Sequence, residues 1–144
     1  IIYNEPNIKL HIYGPEFLKN MYPNSYKGFI KYDDCYKVFS NSLINLNISP
    51  MNDIEYKKNG VKYYYYSERM PQIIACNGIM ISNNNYGDFL KKNKEYILVE
   101  NLDNIIEIIN EFKNDKIKVK IMKKNIEKKK NNFNYKNFFF NFSI

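Results

Sequence analysis

Residues 67–82 constrain the fold of this chain most, because they carry the signals of a helix followed directly by a short strand. Ser67 suits a helix N-cap, and Glu68 then lies in the first turn, where the helix dipole favours an anion. Pro71 falls in the same turn, where its missing N–H is one that the helix leaves unsatisfied. These residues predict a helix that begins near Ser67 and ends near Cys76.

The helix is expected to end in a turn that leads into a buried strand. Asn77-Gly78 is typical of a helix C-terminus, and the apolar run at 79–81 suits a parallel strand covered on both faces. Arg69 would then lie at the start of the helix, beside the edge of the sheet. A helix start that carries an arginine attracts anions, so we expect a site for a nucleotide diphosphate near Arg69.

Short apolar runs and helical patterns alternate along the rest of the chain. We predict strands at 8–13, 26–30, 43–48, 79–82 and 96–99, helices at 33–41, 67–76, 102–112 and 116–130, helical turns at 16–21 and 88–92, and a polar loop at 49–61. Strands that alternate with helices predict an α/β domain with a mostly parallel sheet. The sequence contains no visible internal repeat or domain boundary.

The two helices predicted after residue 100 differ in how clearly they mark an inward face. In the first, apolar residues recur at three- and four-residue spacings, which places them on one side of the helix: Leu102, Ile105, Ile106, Ile109 and Phe112. In the second, we expect Ile117 and Ile121 to face inward, with Met122 and Ile126 as further candidates.

The net charge of +7 is concentrated at the end of the chain. From Lys113 onward there are ten lysines against Asp115 and Glu127, a net of +8, which leaves −1 for the rest. A nearly neutral body argues against a nucleic-acid-binding protein. The lysine-rich segment at 123–130 is typical of a solvated helix face, although basic residues followed by aromatic ones also occur in elements that bind nucleic acids or membrane surfaces.

Several features bear on location and metal binding. No apolar run approaches the roughly 20 residues that a membrane-spanning helix needs, and no signal peptide is visible. Cys35 and Cys76 lack the spacing of metal ligands, and the single histidine, His11, is expected to be structural. Reduced, buried thiols are typical of an intracellular protein. We therefore expect a cytoplasmic location, no transmembrane segment and no bound metal.

The carboxyl ends of the predicted strands mark the edge where ligands of parallel α/β sheets bind. Gly14 follows the first predicted strand, Asn47 lies at the end of the third, and Asn83 follows the fourth. Gly14 and Gly28 would let a backbone approach a ligand closely, or they serve only as turns at strand ends.

Five short motifs follow one another along the chain: Leu10-His-Ile-Tyr-Gly-Pro15, Tyr26-Lys-Gly28, Leu43-Ile-Asn-Leu-Asn47, Arg69-x-x-Gln72-x-x-Ala75-Cys76 and Lys94-Glu95. In this order they resemble the C-terminal, donor-binding half of group 1 glycosyltransferases, in the branch that includes spore-maturation-type enzymes. The resemblance covers about residues 8–130. It implies a Rossmann-like, three-layer domain that forms the C-terminal half of a GT-B fold.

The resemblance also implies an activity and a domain division. Such a domain takes part in transfer of a sugar from a nucleotide-sugar donor to an acceptor, here an unidentified glycan or protein. We expect residues 1–132 to bind the donor and residues 133–144 to form an aromatic tail or helix that packs on this domain or on a missing one. The acceptor domain is expected to be missing from this chain, which alone would be inactive. A non-catalytic nucleotide- or glycan-binding module of a larger protein is the alternative.

Carried over position by position, the resemblance assigns roles to individual residues. Arg69 matches a position near the diphosphate, where its charge would act catalytically by stabilising the leaving group without a metal. Gln72 stands where the family usually has a glutamate that bonds the donor ribose, and Tyr64 stands where many retaining members have another glutamate. The expected donor-site residues are Gly14, Gly28, Asn47, Ser67, Glu68, Arg69, Gln72, Asn83 and Glu95.

Some of these assignments have simpler alternatives. Arg69 would otherwise be a solvated helix residue paired with Glu68 or Glu95. Glu95 would either bond the donor or be a surface charge. The aromatic ring that stacks on the nucleotide base is expected to come from residues 32–36.

Overall fold

The computed structural model describes residues 2–49, 56–58, 61–63, 67–87 and 89–131. Within these residues the strands are β1 (Asn45–Asn47), β2 (Tyr56–Lys58), β3 (Val61–Tyr63), β4 (Met80–Ser82) and β5 (Ile97–Leu98). The α-helices are α1 (Phe17–Met21), α2 (Cys35–Asn41), α3 (Arg69–Ala75), α4 (Ile105–Asn114) and α5 (Lys116–Lys130). Strands and helices therefore alternate along much of the chain.

Three strands form a parallel sheet in the order β1–β4–β5. Leu46 lies opposite Ile81, which in turn lies opposite Ile97. The central strand β4 is buried along its whole length, as a parallel strand covered by helices should be. A parallel sheet on which helices pack, with α3 in the connection between β1 and β4, is an α/β, Rossmann-like arrangement, which confirms the predicted fold class.

The hydrophobic core lies between this sheet and the helices of the second half of the chain. α3 packs on β1 and β4 and also on α2 and α5, while α4 packs on α5. The largest fully buried side chains include Tyr86, Tyr96, Phe112, Ile73, Ile74, Ile79 and Met80. Nearly all of this core comes from residues after 66. The preceding residues therefore contribute little to it.

The helix end predicted at Asn77-Gly78 has the hydrogen bonds of a Schellman motif. Asn77 has a φ of +55° and donates its N–H to Ile74 O at 2.9 Å, and Gly78 donates its N–H to Ile73 O at 2.9 Å. A Cβ at Gly78 would lie 2.7 Å from Asn45 Nδ2. Asn77 therefore takes the left-handed position, while Gly78 lets the chain pass close to β1.

The strands predicted at 8–13 and 26–30 are wrong. These segments form a single parallel bridge, between Ile12 and Tyr26, and do not join the sheet. Of residues 2–44, Ser25 alone is buried, so these segments lack the buried apolar face that stabilises a strand. Gly28 also has a φ of +94°, which leaves the extended region and ends any ladder there.

The loop predicted at 49–61 is also wrong in part, because β2 and β3 pair as an antiparallel ladder with Lys58 opposite Val61. In the sequence these strands are separated by Asn59-Gly60, the dipeptide most typical of a two-residue hairpin turn. The polar composition of this stretch concealed that signal. Residues 50–55 and 64–66 lie outside the described residues, and with them Tyr64.

The inward face predicted for the last helix is only half right. Its bounds agree with the prediction, and Met122 and Ile126 are buried, but Ile117 is 72% exposed and Ile121 is 58% exposed. A helix offers one face to its neighbours, and packing against α3 and α4 selects the Met122 side. The apolar pair at Ile117 and Ile121 is therefore directed away from the core.

The preceding helix begins later than predicted and extends to Asn114, and Ile106 on its predicted inward face is only half-buried. Ile105, Ile109 and Phe112 are buried as expected, whereas Leu102 is 44% exposed in a short 3₁₀ turn that precedes α4. The helical turn predicted at 88–92 does not form over the described residues 89–92.

Two further predictions concern the division into domains and the membrane-spanning helices. The predicted aromatic tail at 133–144 lies outside the described residues, so the domain division at 132 stays a prediction. Over the part of the chain that the structure describes, every helix is too short or too polar to cross a membrane.

Candidate functional site

Two polar residues end neighbouring strands at the carboxyl edge of the sheet. Asn47 ends β1 and Ser82 ends β4, and the two are register partners. Both side chains are almost completely buried, with Asn47 1% exposed and Ser82 inaccessible. Asn47 and Ser82 were both expected at this edge, as the ends of predicted strands, while their neighbour in the fold, Tyr86, was not singled out in the sequence.

Asn47, Ser82 and Tyr86 form a closed ring of hydrogen bonds. Asn47 Nδ2 donates to the Tyr86 hydroxyl at 2.8 Å, and Ser82 Oγ donates to Asn47 O at 2.8 Å. The Ser82 and Tyr86 hydroxyls are 2.9 Å apart. Because the one proton of Ser82 is used on Asn47 O, Tyr86 must donate to Ser82 Oγ. Each hydroxyl in the ring is thus both donor and acceptor.

Tyr86 also joins this ring to the core. Its ring meets that of Tyr96 edge to face at 5.0 Å between centroids, and its backbone N–H donates to the Tyr96 hydroxyl at 3.4 Å. Burial raises the pKa of the Tyr86 phenol, while hydrogen bonds with Ser82, Asn47 and Asn84 and the charge of Arg69 lower that pKa. The charge of Arg69 therefore acts on the same polar cluster.

Ser67 holds Arg69 at the start of α3. Ser67 Oγ accepts hydrogen bonds at 3.3 Å from both the backbone N–H and the Nε–H of Arg69. Ser67 is buried, whereas Arg69 is exposed. Within the described residues Arg69 forms no ion pair, so neither Glu68 nor Glu95 neutralises it. The alternative of an arginine paired with those carboxylates is therefore wrong.

The sequence contains a further signal at Arg69 that was not used in the prediction. It is the only arginine in the chain, so the other 21 of its 22 Lys and Arg residues are lysine. An arginine offers a planar set of donors that fits a phosphate in two-point contact, which a lysine does not. Because α3 has only seven residues, the guanidinium rather than the helix dipole supplies most of the positive potential here.

Gln72 lies one turn after Arg69 and contacts a residue from the first part of the chain. Gln72 Nε2 donates to the Tyr32 hydroxyl at 3.1 Å. The Tyr32 ring is 72% exposed, and it belongs to the segment from which a stacking ring was expected. The structure therefore brings Tyr32, Gln72 and α3 together on one side of the domain.

Asn83 ties the ends of two strands together. Its Oδ1 accepts from Ser49 N at 2.9 Å, and its Nδ2 donates to Ser49 O at 2.8 Å. Ser49 follows β1 and Asn83 follows β4, so this pair fixes the distance between the two loops at the carboxyl edge. Both polar groups of the Asn83 amide are used in this contact.

Gly14 and Gly28 lie beside each other in a separate cleft. Gly14 donates its N–H to Gly28 O at 3.0 Å, and the cleft has a volume of about 700 Å³. It is lined by Gly14, Pro15, Glu16, Lys19, Tyr26, Lys27, Gly28 and Phe29. Among the described residues, no hydrogen bond joins this cleft to Arg69 or Asn47.

Glu95 is buried, so the alternative that it is a surface charge is wrong. Its side chain is 9% exposed, its Oε2 accepts from Lys91 N at 2.8 Å, and the same oxygen lies 3.9 Å from Lys129 Nζ on α5. These contacts stabilise the turn before β5. Glu68, by contrast, is exposed just ahead of α3.

The residues that commonly bind metals are dispersed. Across the described ranges, no three or more His, Cys, Asp or Glu side chains stand close enough to hold an ion. Cys35 and Cys76 are free thiols and half-buried.

Fold and site together define an α/β domain in which an arginine without an acidic partner among the described residues lies at the carboxyl edge of a parallel sheet. Comparison of the sequence with protein families gives a match over residues 2–139 to the family described as glycosyl transferase-like. The chain belongs to this family, which makes it a glycosyltransferase domain. No curated protein and no solved structure matches the sequence.

Proposed function

We propose that this chain binds the nucleotide-sugar donor of a glycosyltransferase, as the C-terminal half of a GT-B enzyme. The observation that carries the proposal is the guanidinium of Arg69, which has no acidic partner among the described residues, is held by Ser67 and acts electrostatically on Tyr86 of the buried ring. Transfer of a sugar leaves a nucleotide diphosphate. A fixed guanidinium would stabilise its developing charge.

The other donor contacts follow from this placement. Gln72 lies on the same side of α3 as Arg69 and would accept from a ribose hydroxyl through its Oε1, because its Nε2 is used by Tyr32. The positive charge that balances the diphosphate of the donor would come from the protein and not from a metal. The acceptor would be held by a second domain, so the 144-residue chain by itself is expected not to transfer sugar.

Isothermal titration calorimetry with UDP and GDP tests the proposal. We expect Arg69→Ala to weaken binding at least tenfold, which corresponds to about 1.4 kcal/mol, with an unchanged melting temperature. Arg69→Lys should restore only part of the affinity, because an ammonium cannot contact two phosphate oxygens at once. Lys120→Ala, which removes an exposed cation from α5, is the matched control and should leave the affinity unchanged. Equal affinities for the native protein and Arg69→Ala would refute this placement of the site.

A non-catalytic binding module is the second candidate, and one residue favours it. Gln72 is uncharged where the family usually has a glutamate, and its amide is used by Tyr32. Such a module would bind nucleotide-sugar without turning it over. A donor-hydrolysis and transfer assay on a chain that includes an acceptor domain decides between the two, since turnover supports the enzyme and binding without turnover supports the module.

A further inference from the structure

The side of α5 that points away from the core combines apolar and cationic residues. Met122 and Ile126 face the core, and the opposite side carries five exposed residues, called here the outer face of α5: Ile117, Lys120, Ile121, Lys124 and Lys128. At 100° per residue these five fall within one sector of the helix, directly opposite the buried pair. From Ile117 to Lys128 the face extends about 16 Å along the helix axis.

The lysines of the outer face have no acidic partners among the described residues. The carboxylates near α5 are used by other lysines: Glu111 pairs with Lys118, Glu95 with Lys129, and Glu127 with Lys130. Glu127 is exposed and lies beside Lys120 and Lys124 on the helix surface, but its carboxylate pairs with Lys130. Three uncompensated positive charges are therefore left on the side that faces outward.

The two isoleucines are the unusual part of this surface. Ile117 is 72% exposed and Ile121 58% exposed, one helical turn apart, in a helix that is otherwise mostly lysine. Exposed isoleucines do not stabilise a helix face that contacts only water. A helix that lies on a bilayer uses this combination, because apolar side chains enter the headgroup region while lysines reach the anionic groups with their long stems.

We propose that the outer face of α5 binds the surface of a lipid bilayer that contains anionic lipids. The positive charges complement the headgroups, and the isoleucines supply the apolar contact that charge alone lacks. Nucleic acid fits less well, because proteins bind single strands with stacking aromatic rings and arginines, and the outer face has neither. This surface is independent of the donor site, so failure of one proposal leaves the other intact.

Vesicle co-sedimentation of the full chain tests the proposal. Binding is expected to phosphatidylcholine–phosphatidylglycerol vesicles, not to phosphatidylcholine alone, and to weaken as salt is added. Replacing Lys120, Lys124 and Lys128 with Gln should lower the partition coefficient by about fivefold for each lysine. Replacing Lys9, Lys91 and Lys92, three exposed lysines elsewhere, removes the same charge and should have a smaller effect.

A second variant separates the apolar contribution from the electrostatic one. Ile117→Ser with Ile121→Ser keeps every charge and should still weaken vesicle binding severalfold, while Leu43→Ser, at another exposed apolar site, should not. Melting curves establish that each variant is folded. Three results would overturn the proposal: equal binding to both kinds of vesicle, no effect of the isoleucine changes, or displacement of the vesicles by single-stranded RNA.

Discussion

The hydroxyl of Tyr86 lies 2.8 Å from Asn47 Nδ2 and so connects the end of the first strand of the sheet to the loop after its central strand. The second contact of this hydroxyl, 2.9 Å from Ser82 Oγ, completes a buried ring. Such a ring stabilises a single arrangement of the carboxyl edge, because any displacement leaves a buried polar group without a partner. The position of the loop that faces Arg69 therefore depends on one phenol.

Tyr86→Phe should reduce the free energy of unfolding by about 1–3 kcal/mol, because it leaves the buried Asn47 Nδ2 without its acceptor. Urea denaturation followed by circular dichroism measures this change. Tyr36→Phe, at a tyrosine that is 55% exposed, is the control and should have almost no effect. Equal stability of Tyr86→Phe and the native protein would mean that the ring is not formed in solution.

The pKa of Tyr86 predicts a dependence of stability on alkaline pH. Burial raises this pKa in the folded state, so the contribution of the neutral phenol is fully present below the unfolded value of about 10 and is lost as pH rises above it. The stability difference between the native protein and Tyr86→Phe should therefore shrink between neutral pH and strongly alkaline pH. Unfolding curves at a series of pH values test this, and a constant difference would contradict it.

Asn77→Gly should stabilise the protein by about 1 kcal/mol, because glycine adopts positive φ without strain and the buried Asn77 Oδ1 has no hydrogen-bond partner among the residues that the structure describes. Asn93 also has a positive φ, of +59°, but is exposed. Asn93→Gly therefore relieves only the backbone, and the difference between the two variants measures the cost of the unpaired oxygen. Thermal unfolding gives both values. A loss of stability in Asn77→Gly would show that the side chain has a partner that the structure lacks.

Cys76 should react slowly with alkylating reagents. Burial raises the pKa of its thiol, and the neighbouring Cys35 raises it further, so less thiolate is present near pH 8 than in a free cysteine. Iodoacetamide labelling followed by peptide mass spectrometry should give a slower rate for Cys76 in the folded protein than in urea. Cys35→Ser should increase that rate, and an unchanged rate in this variant would contradict the interaction between the two thiols.

The parts of the fold that were predictable are those specified by local chemistry. The helix and strand at 67–82 were found because N-cap, proline and Asn-Gly signals act over a few residues. The strands predicted at 8–13 and 26–30 failed because whether an apolar run becomes a strand depends on what covers it. In α5, the pair Ile117 and Ile121 has the same spacing as Met122 and Ile126, and only tertiary packing selects between them.

The same difference between local sequence signals and tertiary contacts applies to the candidate site. The positions of Arg69 at the start of a helix and of Asn47 at the end of a strand were predictable, and the single arginine in the sequence was an additional signal that could have been used. Tyr86 gave no such signal, because it is one of 14 tyrosines and lies in a loop. Its role arises only from the contacts that Asn47 and Ser82 make with it, across 39 and 4 residues of sequence.

The parallel pairing has a consequence for synthesis on the ribosome. Asn47 and Ser82 are 35 residues apart, and the sheet contains no hairpin that could form early by itself. A nascent chain must expose its first strand until the central one has emerged, and must wait longer for β5. Slow translation before residue 98 would therefore prolong exposure of apolar strands, so chaperones that bind such segments should associate with this chain while it is still being made.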